Sequence, residues 1–219
     1  MNIKRYIATI ILAIVLLLNF SCTDWLDVKP VDRMSEDQLY STEAGFRQAL
    51  NGIYVELNHA DLYGDELLVN TVEILAQRYK FSSMGTLTNQ YHLAEFDYTT
   101  DYAKKCGSRI WEKAYALIAN VNKLLKNADS HKDLFTGDSY DLITGEAYAL
   151  RAFLHFDLLR LFGPVYKTHK EDKSICYNTQ FSLSGSDLLP ASKVMEYVIA
   201  DLKEAEDGVK EIMEDKKFG

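Results

Sequence analysis

The segment at residues 139–162 constrains the fold more than any other part of the sequence, because apolar residues recur there every three or four positions over roughly six helical turns. The side expected to face inward carries Ala147, Leu150, Phe153, Leu154, Leu158 and Leu161. The side expected to face water carries Glu146, Arg151 and Arg160. Gly163 and Pro164 end the segment, since glycine accepts a left-handed cap and proline cannot continue the hydrogen-bond ladder. The pattern therefore predicts one long helix.

Three further segments have helical periodicity. Residues 43–58 follow Ser41 and Thr42, either of which can cap the helix with its hydroxyl. Residues 108–127 keep the same rhythm, and their polar connection to residues 139–162 predicts antiparallel packing of the two helices. A fourth helix begins near Pro190, and Gly208 is expected to interrupt it. Its apolar stripe consists of Val194, Val198, Leu202 and Ala205.

The rest of the chain shows weaker patterns. Residues 62–107 contain a helix candidate at 67–78, and residues 166–189 form a long polar connection. No strand pattern is convincing, since residues 90–99 alternate only weakly. The predicted fold class is therefore mainly α. Alanine beside a large residue, as in Ala147-Tyr148 and Ala152-Phe153, is similar to the packing pattern of tetratricopeptide helices, although their full repeat signature is absent.

The N-terminus has the pattern of an export signal. Lys4 and Arg5 precede an apolar run at residues 7–18, which is too short for a stable membrane span. Ser21 directly before Cys22 resembles the lipobox of bacterial lipoproteins, with Asn19 standing where leucine is usual. We expect residues 1–21 to be a signal peptide and Cys22 to be the acylated N-terminus, the alternative being ordinary secretory cleavage nearby.

Charge and composition exclude several classes of function. Removing Lys4 and Arg5 with the signal changes the formal net charge from -8 to about -10. An acidic chain with scattered charges argues against nucleic-acid binding, which needs clustered lysine and arginine, and against electrostatic attachment to anionic lipid. A membrane connection is therefore expected only through the lipid. Cys106 and Cys176 do not by themselves establish a disulfide bond.

Three motifs resemble the SusD/RagB family of outer-membrane nutrient-binding lipoproteins of Bacteroidetes. Residues 24–30 (DWLDVKP) resemble the family's opening sequence, and residues 40–54 resemble its first helix. Residues 145–163, with GEAYALRAF and RLFG, resemble the family's most specific helix. The resemblance implies a SusD-like helical domain with tetratricopeptide-like helix pairs at residues 41–219, after a lipid tether and arm at 22–40. Family members are usually more than twice this length, so the chain resembles their N-terminal portion and is expected to be truncated.

The resemblance implies a function in nutrient uptake. We expect a lipoprotein anchored in the outer membrane, facing the cell exterior, that binds an oligosaccharide and delivers it to a SusC-like, TonB-dependent transporter. Two alternatives are a peptide-binding uptake protein of the same architecture and a truncated helical scaffold that binds nothing. No motif predicts catalysis, a metal site or a cofactor, since the histidines are scattered and no nucleophile elbow or phosphate loop is present. His155 is expected to pack within the fold rather than ligate a metal.

Ligand-binding residues are predicted in the irregular region before Trp111. Aromatic rings can lie against the apolar face of a sugar, and nearby polar side chains can satisfy its hydroxyl groups. Loops on a rigid scaffold are also where binding residues concentrate. An alternative is that these aromatic side chains only pack the loops onto the helices. The predicted residues are Arg78, Tyr79, Phe81, Asn89, Tyr91 and Tyr98.

Overall fold

Helices make up most of the computed structural model, which describes residues 35–82, 85, 88–181 and 186–215. Short helices are α1 (Glu36–Leu39), α3 (Thr71–Leu75), α4 (Thr88–Ala94) and α7 (Tyr166–His169). Long helices are α2 (Glu43–Leu57), α5 (Asp101–Ser130), α6 (Ser139–Phe162) and α8 (Ala191–Asp215). Within these ranges the β-structure is one isolated bridge between Lys173 and Pro190. The mainly α prediction is confirmed, whereas the predicted signal peptide and Cys22 lie outside the described residues.

Helices α5 and α6 pack antiparallel, as predicted. The Tyr140 hydroxyl near the start of α6 donates to Asp129 near the end of α5 (2.6 Å). At the other end, the rings of Trp111 and Phe162 meet edge to face with 5.1 Å between their centroids. Helix α5 begins earlier than predicted because the Thr100 hydroxyl accepts a hydrogen bond from a backbone N–H in its first turn.

Helix α2 runs parallel to α6 and begins at a predicted cap. The Thr42 hydroxyl accepts the Gly45 N–H at 3.1 Å. Along the shared face, Tyr54 donates to Glu146 (2.8 Å). Phe46 of α2 is fully buried against Phe135, which lies in the connection between α5 and α6. The central helix α6 is therefore packed by α2 on one side and α5 on another.

Helix α8 lies antiparallel on α6 and corrects one prediction. Gly208 does not interrupt the helix, which continues to Asp215. Instead, a Cβ atom at Gly208 would lie only 3.1 Å from the backbone oxygen of Asp141, so this glycine allows α8 to approach the start of α6 closely. Leu202 was predicted to lie in the buried stripe but is 48% exposed, because α8 turns Val194, Val198 and Ala205 toward α6. Phe153 of α6 is likewise 44% exposed rather than inward-facing.

The segments between the long helices are more ordered than their sequences predict. The helix candidate at 67–78 is reduced to α3, and the weakly alternating residues 90–99 overlap with helix α4. A small cluster holds both against α5; it consists of Ile74, Leu93, Ala94 and Ala103. Cys106 and Cys176 are free thiols. None of the helices in the described ranges is both long and apolar enough to cross a bilayer.

Candidate functional site

A groove lies between α3, the end of α4, the first half of α5 and the end of α6. It consists of two adjoining cavities of about 570 Å³ and 330 Å³. Both cavities are lined by Leu75, Tyr98 and Leu161, which form the boundary between them. We call this feature the Tyr98 groove. Its size is within the range of small-molecule sites in proteins, and 57% of Tyr98 is exposed to solvent.

A tight turn at the start of α5 positions Tyr98. The Asp97 carboxylate accepts hydrogen bonds from the Thr99 hydroxyl (2.6 Å) and from the Thr99 backbone N–H (3.0 Å). These two bonds lower the pKa of Asp97. The backbone N–H of Asp97 donates to the carbonyl oxygen of His92 (2.9 Å), which ties the turn to α4. Tyr98 therefore projects from a turn that is fixed on both sides.

The loops beside Tyr98 contain two strained residues. Gln77 and Phe96 both have a backbone φ of 58°, a conformation that residues other than glycine rarely adopt. The Gln77 side-chain amide donates to the carbonyl oxygen of Ala94 (2.6 Å), so the loop after α3 is held against the end of α4. Phe96 is 52% exposed. Such strain persists only where the surroundings enforce it, and it is frequent at ligand sites.

Polar side chains flank both ends of the groove. In the smaller cavity, Arg160 donates to Asp157 (2.7 Å), and the Tyr63 hydroxyl donates to the second carboxylate oxygen of Asp157 (2.8 Å). Burial, with the nearby Asp157 charge, raises the pKa of Tyr63, so this hydroxyl stays protonated. In the larger cavity, Lys104 and Ser108 face the groove from α5. The arrangement combines an exposed ring with hydrogen-bond donors and acceptors.

A buried carboxylate supports the wall of the groove. Glu66 is 1% exposed, and it accepts a hydrogen bond from the Thr71 hydroxyl (2.5 Å) and pairs with Arg109. Arg109 also pairs with Asp61 (3.3 Å). Because Thr71 lines the larger cavity, these bonds fix α3 and its side of the groove onto α5. Cys106 is buried near this cluster, and burial raises the pKa of its thiol.

Of the six predicted ligand-binding residues, one lines the groove, a second packs behind it, and a third contacts the second. Tyr98 lines the groove directly. Phe81 packs against the cluster that includes Leu93 and Ala103, and both of those residues line the larger cavity. Tyr79 meets Phe81 edge to face, with 6.0 Å between ring centroids, and remains 46% exposed. Phe81 therefore packs onto the helices, whereas Tyr79 keeps an exposed surface.

The other three predicted residues, like Tyr79 and Phe81, are outside the described lining of the groove. Arg78 is exposed and pairs weakly with Glu73 (3.8 Å). Asn89 is exposed on α4. Tyr91 is half-buried, with its ring edge-on to His92. The structure does not bring these three residues together with Tyr98, and their contact with a ligand stays a prediction.

A buried polar network between α5, α6 and α8 was missed by the sequence patterns. Arg151 was predicted to face water, but it is only 6% exposed and forms two 2.7 Å hydrogen bonds to Asp201. Arg151 also donates to Asn122 (2.9 Å), and the Tyr177 hydroxyl donates to Asp201 (2.5 Å). Asn122, Arg151 and Asp201 each stand beside an apolar stripe of their helix, which is the one signal that could have revealed the network.

His155 anchors the long connection before α8 to the same network. It is completely buried, and its ring stacks on Tyr177 with 3.8 Å between centroids. Nδ1 bonds to the carbonyl oxygen of Arg151 (2.9 Å), and Nε2 accepts the backbone N–H of Asn178 (3.1 Å). Burial lowers the pKa of His155 to about 4, so the imidazole is neutral. The histidine is a packed structural residue, as expected.

Comparison with known proteins gives consistent matches. A family model for SusD-like proteins, described as "Starch-binding associating with outer membrane", matches residues 24–217. SusD-like protein P2 of Formosa agariphila is 27% identical over 217 residues, which cover 98% of this chain and 39% of that protein. The chain thus spans about two fifths of the length of this relative.

Solved structures show the same fold. A SusD superfamily protein from Bacteroides fragilis superposes with a TM-score of 0.63 at 18% identity, over 75% of this chain and 39% of that one. A SusD-like carbohydrate binding protein from Bacteroides vulgatus superposes with a TM-score of 0.62 at 22% identity, over 75% of this chain and 35% of that one. At these identities the similarity establishes the fold alone.

Proposed function

The chain belongs to the SusD-like family, and on that premise we propose that it is a carbohydrate-binding protein of the outer membrane that holds an oligosaccharide in the Tyr98 groove. The observation that carries the proposal is the exposed Tyr98 ring, which its turn places between two cavities whose linings include polar side chains. A sugar ring presents apolar C–H groups on its faces and hydroxyl groups at its edge. It therefore needs an aromatic surface and hydrogen-bonding groups together.

The finer parts of the proposal concern location and partner. The sequence before residue 22 supports acylation at Cys22, and the description of the matched family supports association with the outer membrane. The protein would be carried on the exterior face of that membrane. From there it would pass its ligand to a SusC-like, TonB-dependent transporter. No chemical reaction is part of this role, because binding and transfer require no bond to be broken.

Acylation and the partner can be tested in cells. Labelling with a radioactive fatty acid is expected to mark the wild-type protein and not the Cys22→Ser variant, which should also leave the membrane fraction. Affinity purification in mild detergent is expected to recover a TonB-dependent transporter with the wild-type protein. An unlabelled wild-type protein in the soluble fraction would contradict the anchoring proposal.

Ligand binding is tested by isothermal titration calorimetry with purified, unacylated Cys22→Ser protein. The panel should include maltohexaose, because the matched family is described as starch-binding, together with other hexasaccharides and mixed peptides. Tyr98→Ala is expected to weaken oligosaccharide binding by about tenfold or more, since the stacking surface is lost. Tyr98→Phe keeps the ring and is expected to stay within a few-fold of wild type.

Tyr54→Ala is the matched control, because Tyr54 is also an exposed tyrosine but lies on α2. It is expected to bind as wild type does. Saturable binding of peptides but not of oligosaccharides would replace the carbohydrate proposal with peptide uptake. Binding of neither class would favour a helical scaffold without a ligand.

A further inference from the structure

We propose that the protein has a second carbohydrate-binding site, at the opposite end of α5 from the Tyr98 groove. A cavity of about 530 Å³ opens there between α5, α6 and residues 179–181. The side chains that matter most in its lining are Asn122, Lys126, Tyr148, Arg151, Gln180 and Phe181. We call it the Arg151 cavity. The inference rests on the proposed function only in taking the same class of ligand.

The polar floor of the Arg151 cavity is fixed before any ligand arrives. The Arg151 guanidinium is held by both carboxylate oxygens of Asp201 and by the side-chain oxygen of Asn122. The Asn122 amide nitrogen in turn donates to the carbonyl oxygen of Asn178 (2.9 Å). A preorganised site loses little conformational entropy on binding, so a small number of polar contacts can suffice.

The wall of the cavity is fixed by the same groups. Residues 179–181 follow Asn178 directly, and Asn178 is held at its N–H by His155 and at its carbonyl oxygen by Asn122. Arg151 also donates a longer bond to the carbonyl oxygen of Thr179 (3.4 Å). The irregular connection before α8 is thereby positioned against α5 and α6 at the point where the cavity opens.

The lining matches the chemistry of a saccharide. Phe181 is 45% exposed and Tyr148 is half-buried, so two aromatic rings border the cavity. Arg151 lies over the Tyr148 ring at 5.1 Å, and Lys123 lies over the Phe181 ring at 4.6 Å, which orients both rings. Lys126 and Asp129 bring charges of opposite sign to the rim, which favours a neutral, hydroxyl-rich ligand over an ion.

Stability alone gives little reason for this arrangement. Replacing a buried ion pair with apolar residues of similar volume is often neutral or stabilising, because desolvation offsets the attraction between the charges. The Arg151–Asp201 pair is buried on both sides, and it also lines an open cavity through Arg151. A role in holding the floor of a binding site accounts for both observations.

The two sites are separate. Lys104 lines the Tyr98 groove and Lys126 lines the Arg151 cavity, and both belong to the same continuous helix α5. At 1.5 Å per residue, these two lysines are about 33 Å apart along α5, and the nearest lining residues of the two sites, Ile110 and Asn122, are about 18 Å apart. A saccharide chain long enough to span this gap could contact both sites and gain avidity.

The test counts sites by calorimetry with maltohexaose and the other hexasaccharides of the panel, using the full mature chain as Cys22→Ser. We expect two binding events in the wild-type protein. Phe181→Ala is expected to remove one event or weaken it by at least tenfold, and to leave the Tyr98 event unchanged. Tyr98→Ala is expected to have the converse effect, and Tyr54→Ala is expected to retain both. Phe181 and Tyr98 are exposed, so these variants should keep the wild-type circular dichroism spectrum.

A second measurement separates binding from a merely structural role. The side-chain amide resonances of Asn122 are expected to shift on titration with the bound hexasaccharide, in the wild-type protein and in Tyr98→Ala, but not in Phe181→Ala. One binding event that disappears with Tyr98→Ala and is unaffected by Phe181→Ala would overturn the second site and leave the proposed function standing. No saturable binding by the wild-type protein to any hexasaccharide would overturn both.

Discussion

The burial of His155 predicts that the protein loses stability in mild acid. The pKa of this histidine falls from 6.5 to about 4 because the ring is buried, whereas in the unfolded chain it is solvated. The unfolded state therefore takes up a proton first, and the free energy of unfolding decreases as pH falls from about 6.5 toward 4. Relative to mildly alkaline pH, the difference between these two pKa values lowers the free energy of unfolding by roughly 1.4 kcal/mol at pH 5.5 and by roughly 2.5 kcal/mol at pH 4.5.

Carboxylates respond at lower pH. Glu43, for example, has its pKa lowered to about 2 by hydrogen bonds from Ser139 and Thr136, so the stability that this group supplies is retained down to about its ordinary value of 4.5. The interval between about pH 6.5 and 4.5 thus reports mainly on His155. Urea unfolding followed by far-UV circular dichroism at several pH values measures the loss.

The reference variant is His155→Gln, which keeps a polar side chain but has no proton to gain in this interval. It is expected to be less stable than wild type at neutral pH and to lose about 2.5 kcal/mol less on acidification. His169→Asn, at an exposed histidine, is expected to keep the wild-type slope. Equal losses in wild type and His155→Gln would show that the buried ring is not held neutral, and would refute the reasoning.

Three other predictions concern packing and burial. Arg151→Met is expected to lower the free energy of unfolding, measured with urea, by about 3–5 kcal/mol, because it leaves the Asp201 carboxylate buried and without its cation. The double variant Arg151→Met with Asp201→Leu should recover most of that loss. A double variant as unstable as the single one would contradict this reasoning. Gly145→Val is expected to cost about 1–3 kcal/mol by thermal unfolding, since a Cβ atom at this position already lies 3.4 Å from the Ala205 carbonyl oxygen, whereas Gly145→Ala should be tolerated. Cys106 is 2% exposed, so iodoacetamide should modify it only after unfolding, and mass spectrometry showing rapid labelling in the folded protein would be the contrary result.

The long helices could be predicted because the forces that define them are local. Helix α6 begins and ends at its predicted residues because its apolar period is sustained and Gly163 and Pro164 follow it directly. The expected left-handed cap is not formed, since Gly163 has an extended backbone with φ of -84°; glycine instead fits there because a Cβ atom would lie 2.4 Å from the Leu159 carbonyl oxygen. The cap at Thr42 is equally local. The prediction at Gly208 was wrong for the opposite reason. This glycine allows α8 to approach Asp141, which lies sixty-seven positions earlier in the chain, and the residues next to Gly208 in sequence give no sign of that contact.

The candidate sites were only partly predictable for the same reason. Tyr98 was included among the predicted ligand-binding residues because an aromatic residue in a polar loop is a local signal, whereas the groove around it depends on residues from four helices. Arg151 was assigned to the water-facing side because a charged residue beside an apolar stripe is ordinarily exposed. Its partners Asn122 and Asp201 lie on other helices, so the burial of this arginine depends on packing that a single-helix pattern does not contain.

The conformation of Phe96 has a consequence for how the sequence can vary. A phenylalanine with φ of 58° and half of its surface in solvent is unfavourable for the backbone and for hydration at once. Glycine or asparagine would suit the position better, so selection for folding alone should replace the ring. In a saturation library, we expect both replacements to be enriched when variants are scored for abundance. If they are depleted when the same variants are scored for binding of the hexasaccharide found by calorimetry, the residue is retained for what it touches outside the chain.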